Sequence, residues 1–183
     1  METEWIVTEV DEKIASVGAD YRHFADIAAR IAEMPPKSVG TVRTRKISTR
    51  ELMDLDRTLQ WEDLRLFGTK FQLSVWRKLF ELTHGNESAK LLSYSDFAVL
   101  CENAAGVRAV AHAVAVNPVA YIIPCHLVIP KESVDKGRQI RSHARETTLF
   151  RGDDLYLLDT LDVGEYAYGS ALKRELIKLQ LGK

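Results

Sequence analysis

Cys125 and His126, adjacent and preceded by Pro124, are the residues of this 183-residue chain whose types and order could do chemistry. A thiolate is a strong nucleophile, and a neighbouring histidine can hold a water or draw a thiol towards its thiolate. The segment Pro124-Cys125-His126-Leu127-Val128 follows an apolar run, Val119-Ala120-Tyr121-Ile122-Ile123. A proline cannot donate to a strand ladder, so a buried strand over 119–123 is expected to end or bend at Pro124. Cys125 then stands where the chain leaves the core, near a surface or a pocket. Alone, the five residues also allow a plainer reading, with Cys125 an inert buried hydrophobe and His126 a surface residue.

Composition narrows the classes. Hydrophobic residues make up 46% and charged residues 28%, as in a soluble globular protein, and no run approaches the roughly 18 apolar residues of a membrane helix. The acidic start Met1-Glu2-Thr3-Glu4-Trp5 has no signal-peptide pattern, so a cytoplasmic or nucleoid location with no membrane partner is expected. Two cysteines, Cys101 and Cys125, make no disulfide framework, and Cys101 reads as core. His23, His84, His112, His126 and His143 match no ligand spacing, so no metal site is expected. A net charge of −1 argues against nucleic-acid binding by the whole surface but allows a local basic face.

Upstream of the cysteine, two helices are expected around a short turn. Ser93 can cap a helix running through Cys101; Glu102 to Gly106 form a turn; a second, alanine-rich helix follows from Val107 and ends at Asn117-Pro118. That is the outline of a helix-turn-helix. Before it, residues 71–82 carry Phe71, Val75, Leu79 and Leu82 on one helical stripe, with Trp76 and Phe80 beside it. After it, a helix over 170–181 is expected to turn Leu172, Leu176 and Leu179 inward. The first third reads as a strand at Trp5-Ile6-Val7-Thr8 and a helix over 21–33 with Phe24, Ile27, Ala28 and Ile31 on one face. An edge strand over 39–48 and a helix capped near Thr49 follow. Lys37, Arg43, Arg45, Lys46 and Arg50 read as a solvated face.

In this order and spacing several segments resemble the O6-alkylguanine-DNA alkyltransferases, or methylated-DNA–protein-cysteine methyltransferases. They are Gly68-Thr69-Lys70-Phe71-Gln72-Leu73-Ser74-Val75-Trp76, Leu92-Ser93-Tyr94-Ser95-Asp96-Phe97-Ala98, the stretch from Arg108 to Asn117-Pro118, Pro124-Cys125-His126, and Tyr166-Ala167-Tyr168-Gly169-Ser170-Ala171-Leu172-Lys173. The resemblance implies an α+β chain: a mostly helical, winged-helix-like alkyltransferase domain over 66–183, preceded by a small α/β region over 1–65. Residues 131–164 form an insertion, expected at the surface, with a helical turn over 145–150 and a strand over 155–158. Its Lys136, Arg138, Arg141 and Arg145 are expected to add a DNA contact.

The resemblance also implies a function: irreversible transfer of an alkyl group from O6-alkylguanine in double-stranded DNA to Cys125, once per molecule, by a monomer without cofactor. His126 would take the thiol proton through a water, Asn117 would brace the site, and Gln180 stands where the family has a glutamate that orients the histidine. Tyr94 would donate towards the flipped base, Arg108 would fill the gap that the base leaves, and Tyr166 would wall the pocket. Gln180 brings no negative charge, although Glu175 or another acid could replace it; Leu127 stands where the family usually has arginine. These departures keep open a non-catalytic module that recognises alkylated DNA and recruits other repair factors.

Overall fold

The computed structural model describes residues 3–35, 38, 40–85, 90–144 and 158–182. The chain is α+β, and its first sheet has the order β2-β1-β3 with both pairings antiparallel: β1 (Glu4–Val10), β2 (Lys13–Gly18) and β3 (Val42–Ser48). β1, in the middle, buries Trp5 through Thr8 and Val10. β2 was not anticipated, because its hairpin turn is Asp11-Glu12 rather than the usual Asn-Gly. Both residues take positive φ, +50° and +65°, which a two-residue hairpin of this hand requires. The Asp11 carboxylate holds the turn by accepting from the amides of Gly40 (2.9 Å) and Thr41 (2.8 Å) and by pairing with Arg65. β3 is the expected edge strand, with Arg43, Arg45 and Lys46 exposed; Lys37 lies outside the described residues.

Helix α1 (Arg22–Ala32) buries Ile27 but leaves Ala28 exposed, so its inward stripe is narrower than the periodicity suggested; the Phe24 side chain lies outside the description. Helix α2 (Thr49–Thr58) is capped by Ser48, one residue earlier than expected, because Ser48 and Glu51 form a capping box. Thr69 and Gln72 do the same for α3 (Lys70–His84). α3 buries Val75, Trp76, Leu79 and Phe80 and turns Phe71 outward. Its inward face is thus rotated from the expected stripe, and Trp76 Nε1 donates 2.7 Å to the buried carbonyl of Ala113.

A two-residue parallel ladder joins β4 (Leu92–Ser93) to β5 (Val128–Ile129). Ser93 ends β4 and also caps α4 (Tyr94–Leu100), its hydroxyl accepting from the Asp96 amide at 3.0 Å. A 3₁₀ turn (Ala104–Gly106) leads to α5 (Val107–Ala115), which packs Val110, Ala113 and Val114 inward and exposes Arg108, Ala109, His112, Ala115 and Val116.

The run 119–123 is not a strand. Val119 makes one bridge to Val17, and Tyr121 turns back at φ +71° while remaining buried. A bulky residue in the left-handed region costs about 1–3 kcal/mol, and here packing on every side holds it. β2 grips this loop through Val17 N to Pro118 O and Ala120 N to Val17 O, both 2.9 Å. Trp5, Val7, Val17 and Leu52 consequently share one core with Val75, Trp76, Val114 and Ile122.

The stretch after Pro130 is not simply surface. It starts with α6 (Lys131–Ala144), which buries Ser133 and Val134, and ends with buried Leu158, Leu161 and Val163. These apolar side chains make a second core with Leu91, Leu127, Ile129 and Ile177. Leu127 is fully buried in that cluster, which explains an apolar residue there where an arginine would bury its charge. Lys136 and Arg138 are exposed, and Arg138 pairs with Asp96 and Asp135, each at 3.6 Å. The Arg141 side chain, the turn over 145–150 and most of the strand over 155–158 lie outside the described residues; Leu158 itself begins a short helical turn. Helix α7 (Ser170–Leu181) closes the chain. Among the described residues no helix is long and apolar enough to cross a membrane.

Candidate active site

Cys125 opens a 3₁₀ turn, Cys125–Leu127, between the loop that β2 grips and β5. Its sulfur lies on the wall of a cavity of about 250 Å³ shared with Tyr94, Asn117, Glu165, Tyr166, Tyr168, Lys173 and His23. The residue itself is 8% exposed, so the sulfur is reached only through that cavity.

Asn117, just past α5 and buried, ties three pieces together. Its Nδ2 donates to the Cys125 sulfur at 3.1 Å and to the Ile123 carbonyl at 2.8 Å, and its Oδ1 accepts from the Val119 amide at 3.0 Å. One amide thus holds both ends of the tight loop and points a donor at the sulfur. The Tyr166 hydroxyl is 4.0 Å from the sulfur.

Burial pushes the Cys125 thiol up from its ordinary range. The Asn117 hydrogen bond, the charge of Lys173 and the Tyr166 hydroxyl pull it back. Lys173 was not picked out from the sequence. It sits in the first turn of α7, 1% exposed, and its Nζ donates 2.9 Å to the Val128 carbonyl and lies 6.0 Å from the Tyr166 ring centroid. Burial brings its pKa down to about 8, against the opposing pull of Cys125 and Asp162. The signal for it was present: Lys173, Leu176, Ile177 and Gln180 are spaced i, i+3, i+4, i+7, so a lysine and a glutamine bracket an inward stripe. Those four are the buried residues of α7, whereas Leu172 and Leu179 are only half-buried.

Tyr94, the first residue of α4, lines the cavity and is held there by the β4–β5 ladder. Burial foremost, then the Cys125 charge, raises its hydroxyl above the ordinary phenol range; Tyr166 is raised further for the same reasons, so both keep their protons at neutral pH. The wall segment from Glu165 to Tyr168 turns into α7 at Gly169, whose φ of +87° disfavours any residue with a Cβ.

His126 and Gln180 do not line the cavity. His126 is fully buried, its ring stacked on Tyr121 with centroids 5.9 Å apart and planes 9° apart. Gln180 is also buried, on α7 where that helix packs against the Cys125–Leu127 turn; its Oε1 accepts no hydrogen bond among the described residues. Glu175 is exposed, so it does not stand in for a buried acid. Arg108 is exposed in the first turn of α5, outside the cavity. Cys101 is half-buried at the end of α4, its thiol pushed by burial to about 11. Among the described residues no group of three or more histidines, cysteines or acids could hold a metal ion.

Residues 70–150 match the family model described as 6-O-methylguanine DNA methyltransferase, DNA binding domain. Over 71 residues the chain is 44% identical to a probable methylated-DNA–protein-cysteine methyltransferase of Acanthamoeba polyphaga mimivirus, covering 39% of this chain and 45% of that protein. Over 64 residues it is 47% identical to the inducible methylated-DNA–protein-cysteine methyltransferase of Bacillus subtilis strain 168, covering 35% and 34%. The chain spans less than half the length of these curated relatives. Among solved structures, the O6-methylguanine-DNA methyltransferase of the hyperthermophilic archaeon Pyrococcus kodakaraensis strain KOD1 has a TM-score of 0.52, covering 97% of this chain and 91% of that one. At 18% identity this is a likeness of fold.

Proposed function

We propose that this chain, whose residues 70–150 match the DNA binding domain model of 6-O-methylguanine DNA methyltransferase, repairs DNA by taking the alkyl group of O6-alkylguanine onto Cys125. The observation that carries the reading is the sulfur at a cavity that Tyr94, Asn117 and Tyr166 share, with a donor amide and a buried ammonium bearing on it.

The reaction is a displacement at saturated carbon. The Cys125 thiol loses its proton, His126 taking it through a water, and the thiolate attacks the alkyl carbon; the C–S bond forms as the C–O6 bond breaks. The departing guanine takes up a proton, and Tyr94, which keeps its own at neutral pH, is the donor. The Asn117 donor and the Lys173 charge stabilise the thiolate before attack, and the orienting of His126 is assigned to Gln180, on the helix packed against the Cys125–Leu127 turn. The thioether product has no easy leaving group, so each molecule acts once.

Reaching the sulfur requires the base to leave the duplex, at a cost of a few kcal/mol that a damaged pair lowers. The exposed face of α5, with Arg108 at its start and alanines along it, suits close approach to a groove. Arg108 fills the space of the extruded base, and Tyr166 walls the pocket. The protein works as a monomer on duplex DNA in the cytoplasm and needs no cofactor.

The test is the intact-protein and peptide mass after incubation with a duplex carrying one O6-methylguanine. One methyl group is expected on the Cys125 peptide of the wild type and none on Cys125→Ser. Tight binding of that duplex with no gain of mass by the wild type would refute the transfer.

A further inference from the structure

We propose that the N-terminal region clamps Tyr168 and thereby positions the cavity wall, so that Gly18, Arg22 and His23 are positioning residues for alkyl transfer. This rests on the function proposed above.

The wall segment needs holding. It runs between Gly164 and Gly169, both at positive φ (+74° and +87°), with no helix or strand of its own between them. Three contacts from one short stretch of the N-terminal region meet it. The end of β2 leaves a notch at Gly18, where an added Cβ would lie 2.3 Å from the Tyr168 hydroxyl oxygen. Arg22, at the start of α1, lays its guanidinium 4.9 Å from the Tyr168 ring centroid and donates from Nη1 to the Ala167 carbonyl at 2.6 Å. Asp20 fixes that guanidinium from the other side, at 2.7 to 3.0 Å. His23 presents its ring edge-on to Tyr168, centroids 6.0 Å apart and planes at 84°, and itself lines the cavity.

The contact continues inward. Tyr168 meets Tyr166 edge-to-face at 5.7 Å, and the Tyr166 hydroxyl is the group 4.0 Å from the sulfur. A shift of Tyr168 therefore moves the surface against which the flipped base rests. Displacements of about 1 Å at a reacting centre can cost a hundredfold in rate.

The experiment uses the chain of 183 residues in single-turnover alkyl transfer from an O6-methylguanine duplex, with four variants. Gly18→Ala pushes hardest on the Tyr168 hydroxyl and also crowds the Asp20 carbonyl at 3.2 Å; Tyr168→Phe removes the closest atom; the double variant combines them; Arg22→Ala removes an exposed clamp residue whose loss leaves the core intact. Gly18→Ala is expected to lower the rate constant at saturating duplex by roughly tenfold or more, with duplex affinity unchanged, because α5 is untouched. In the Tyr168→Phe background the same Gly18→Ala change is expected to slow transfer much less, and Arg22→Ala falls below the wild-type rate. A Gly18→Ala variant as fast as wild type, or a Gly18→Ala change that slows Tyr168→Phe by as large a factor as it slows wild type, overturns the clamp.

A second reaction separates this from a failure of the function itself. Iodoacetamide caps a thiolate with loss of iodide and needs no guanine. Gly18→Ala is expected to speed capping of Cys125 by opening the wall, and to speed it much less in the Tyr168→Phe background. If the wild type accepts no methyl group from DNA, the function fails and capping still judges the clamp. Equal capping of Cys125 in all forms refutes it.

Discussion

Replacing Lys173 by methionine is expected to separate reactivity from stability. Lys173 is held with its pKa near 8 against an ordinary 10.5, mainly by burial. A base whose folded pKa is depressed costs stability wherever the unfolded chain holds the proton and the folded chain resists it. About 2.5 units at 1.36 kcal/mol each is roughly 3 kcal/mol at neutral pH, recovered as pH rises from about 8 to about 10.5. Methionine removes that cost but leaves the Val128 carbonyl, now bonded at 2.9 Å, without its donor, a loss of about 1–3 kcal/mol. The two nearly cancel, so Lys173→Met should unfold within about 2 kcal/mol of wild type and lose the gain in stability above pH 8. The sulfur, in contrast, loses the positive charge that opposes its burial. Each unit by which its pKa rises removes about nine-tenths of the thiolate at neutral pH. The single-turnover rate at pH 7.5 should fall by about tenfold or more, and the midpoint of the pH–rate profile should move up. Denaturant melts across pH 6 to 10.5, paired with pH–rate profiles, read both. A folded variant with wild-type rate and profile would show that the lysine does not bear on the thiolate.

If position 180 bears on His126 as proposed, Gln180→Glu should speed transfer at neutral pH and lower the midpoint of its pH–rate profile, because a carboxylate there favours the imidazolium. Burying that charge should cost stability, so rates and melts are measured together, and an unchanged rate would remove His126 from the proton path. His84 on α3 pairs with buried Asp56 on α2 at 3.3 Å, and although burial opposes its charge, Asp56 raises its pKa overall. A raised folded pKa contributes stability that is fully present below about pH 6.5 and lost as pH climbs through the folded value. Wild-type melting temperature should therefore drop across that window more than that of His84→Gln, and parallel curves would refute the linkage.

How much was legible depended on whether the cause was local. The turn before α4 follows from Ser93, and α3 begins where Thr69 and Gln72 form their box, both within four residues of sequence. Cys125, Tyr94 and Tyr166, which the structure gathers at one cavity, stood out because each lies in a short motif. The run 119–123 misled because apolar content reads as strand, whereas Asn117 bonding to Val119, Ile123 and Cys125 bends it into a loop. Lys173 was missed because its face on α7 was judged from leucines alone. The stretch after Pro130 was misread as surface because its partners, Leu91 and Ile177, lie far along the chain.

The grip of β2 on the cysteine's loop has a consequence for how the gene can vary. Both hydrogen bonds there, Val17 to Pro118 and Ala120 to Val17, join main chain to main chain. They are indifferent to which side chain stands on the strand, so long as the strand keeps its place. Mutation can therefore change exposed side chains of the N-terminal region without loosening the loop that carries Cys125, except at points such as Gly18 where only the smallest residue leaves room. Inheritance of the shape can outlast inheritance of the letters.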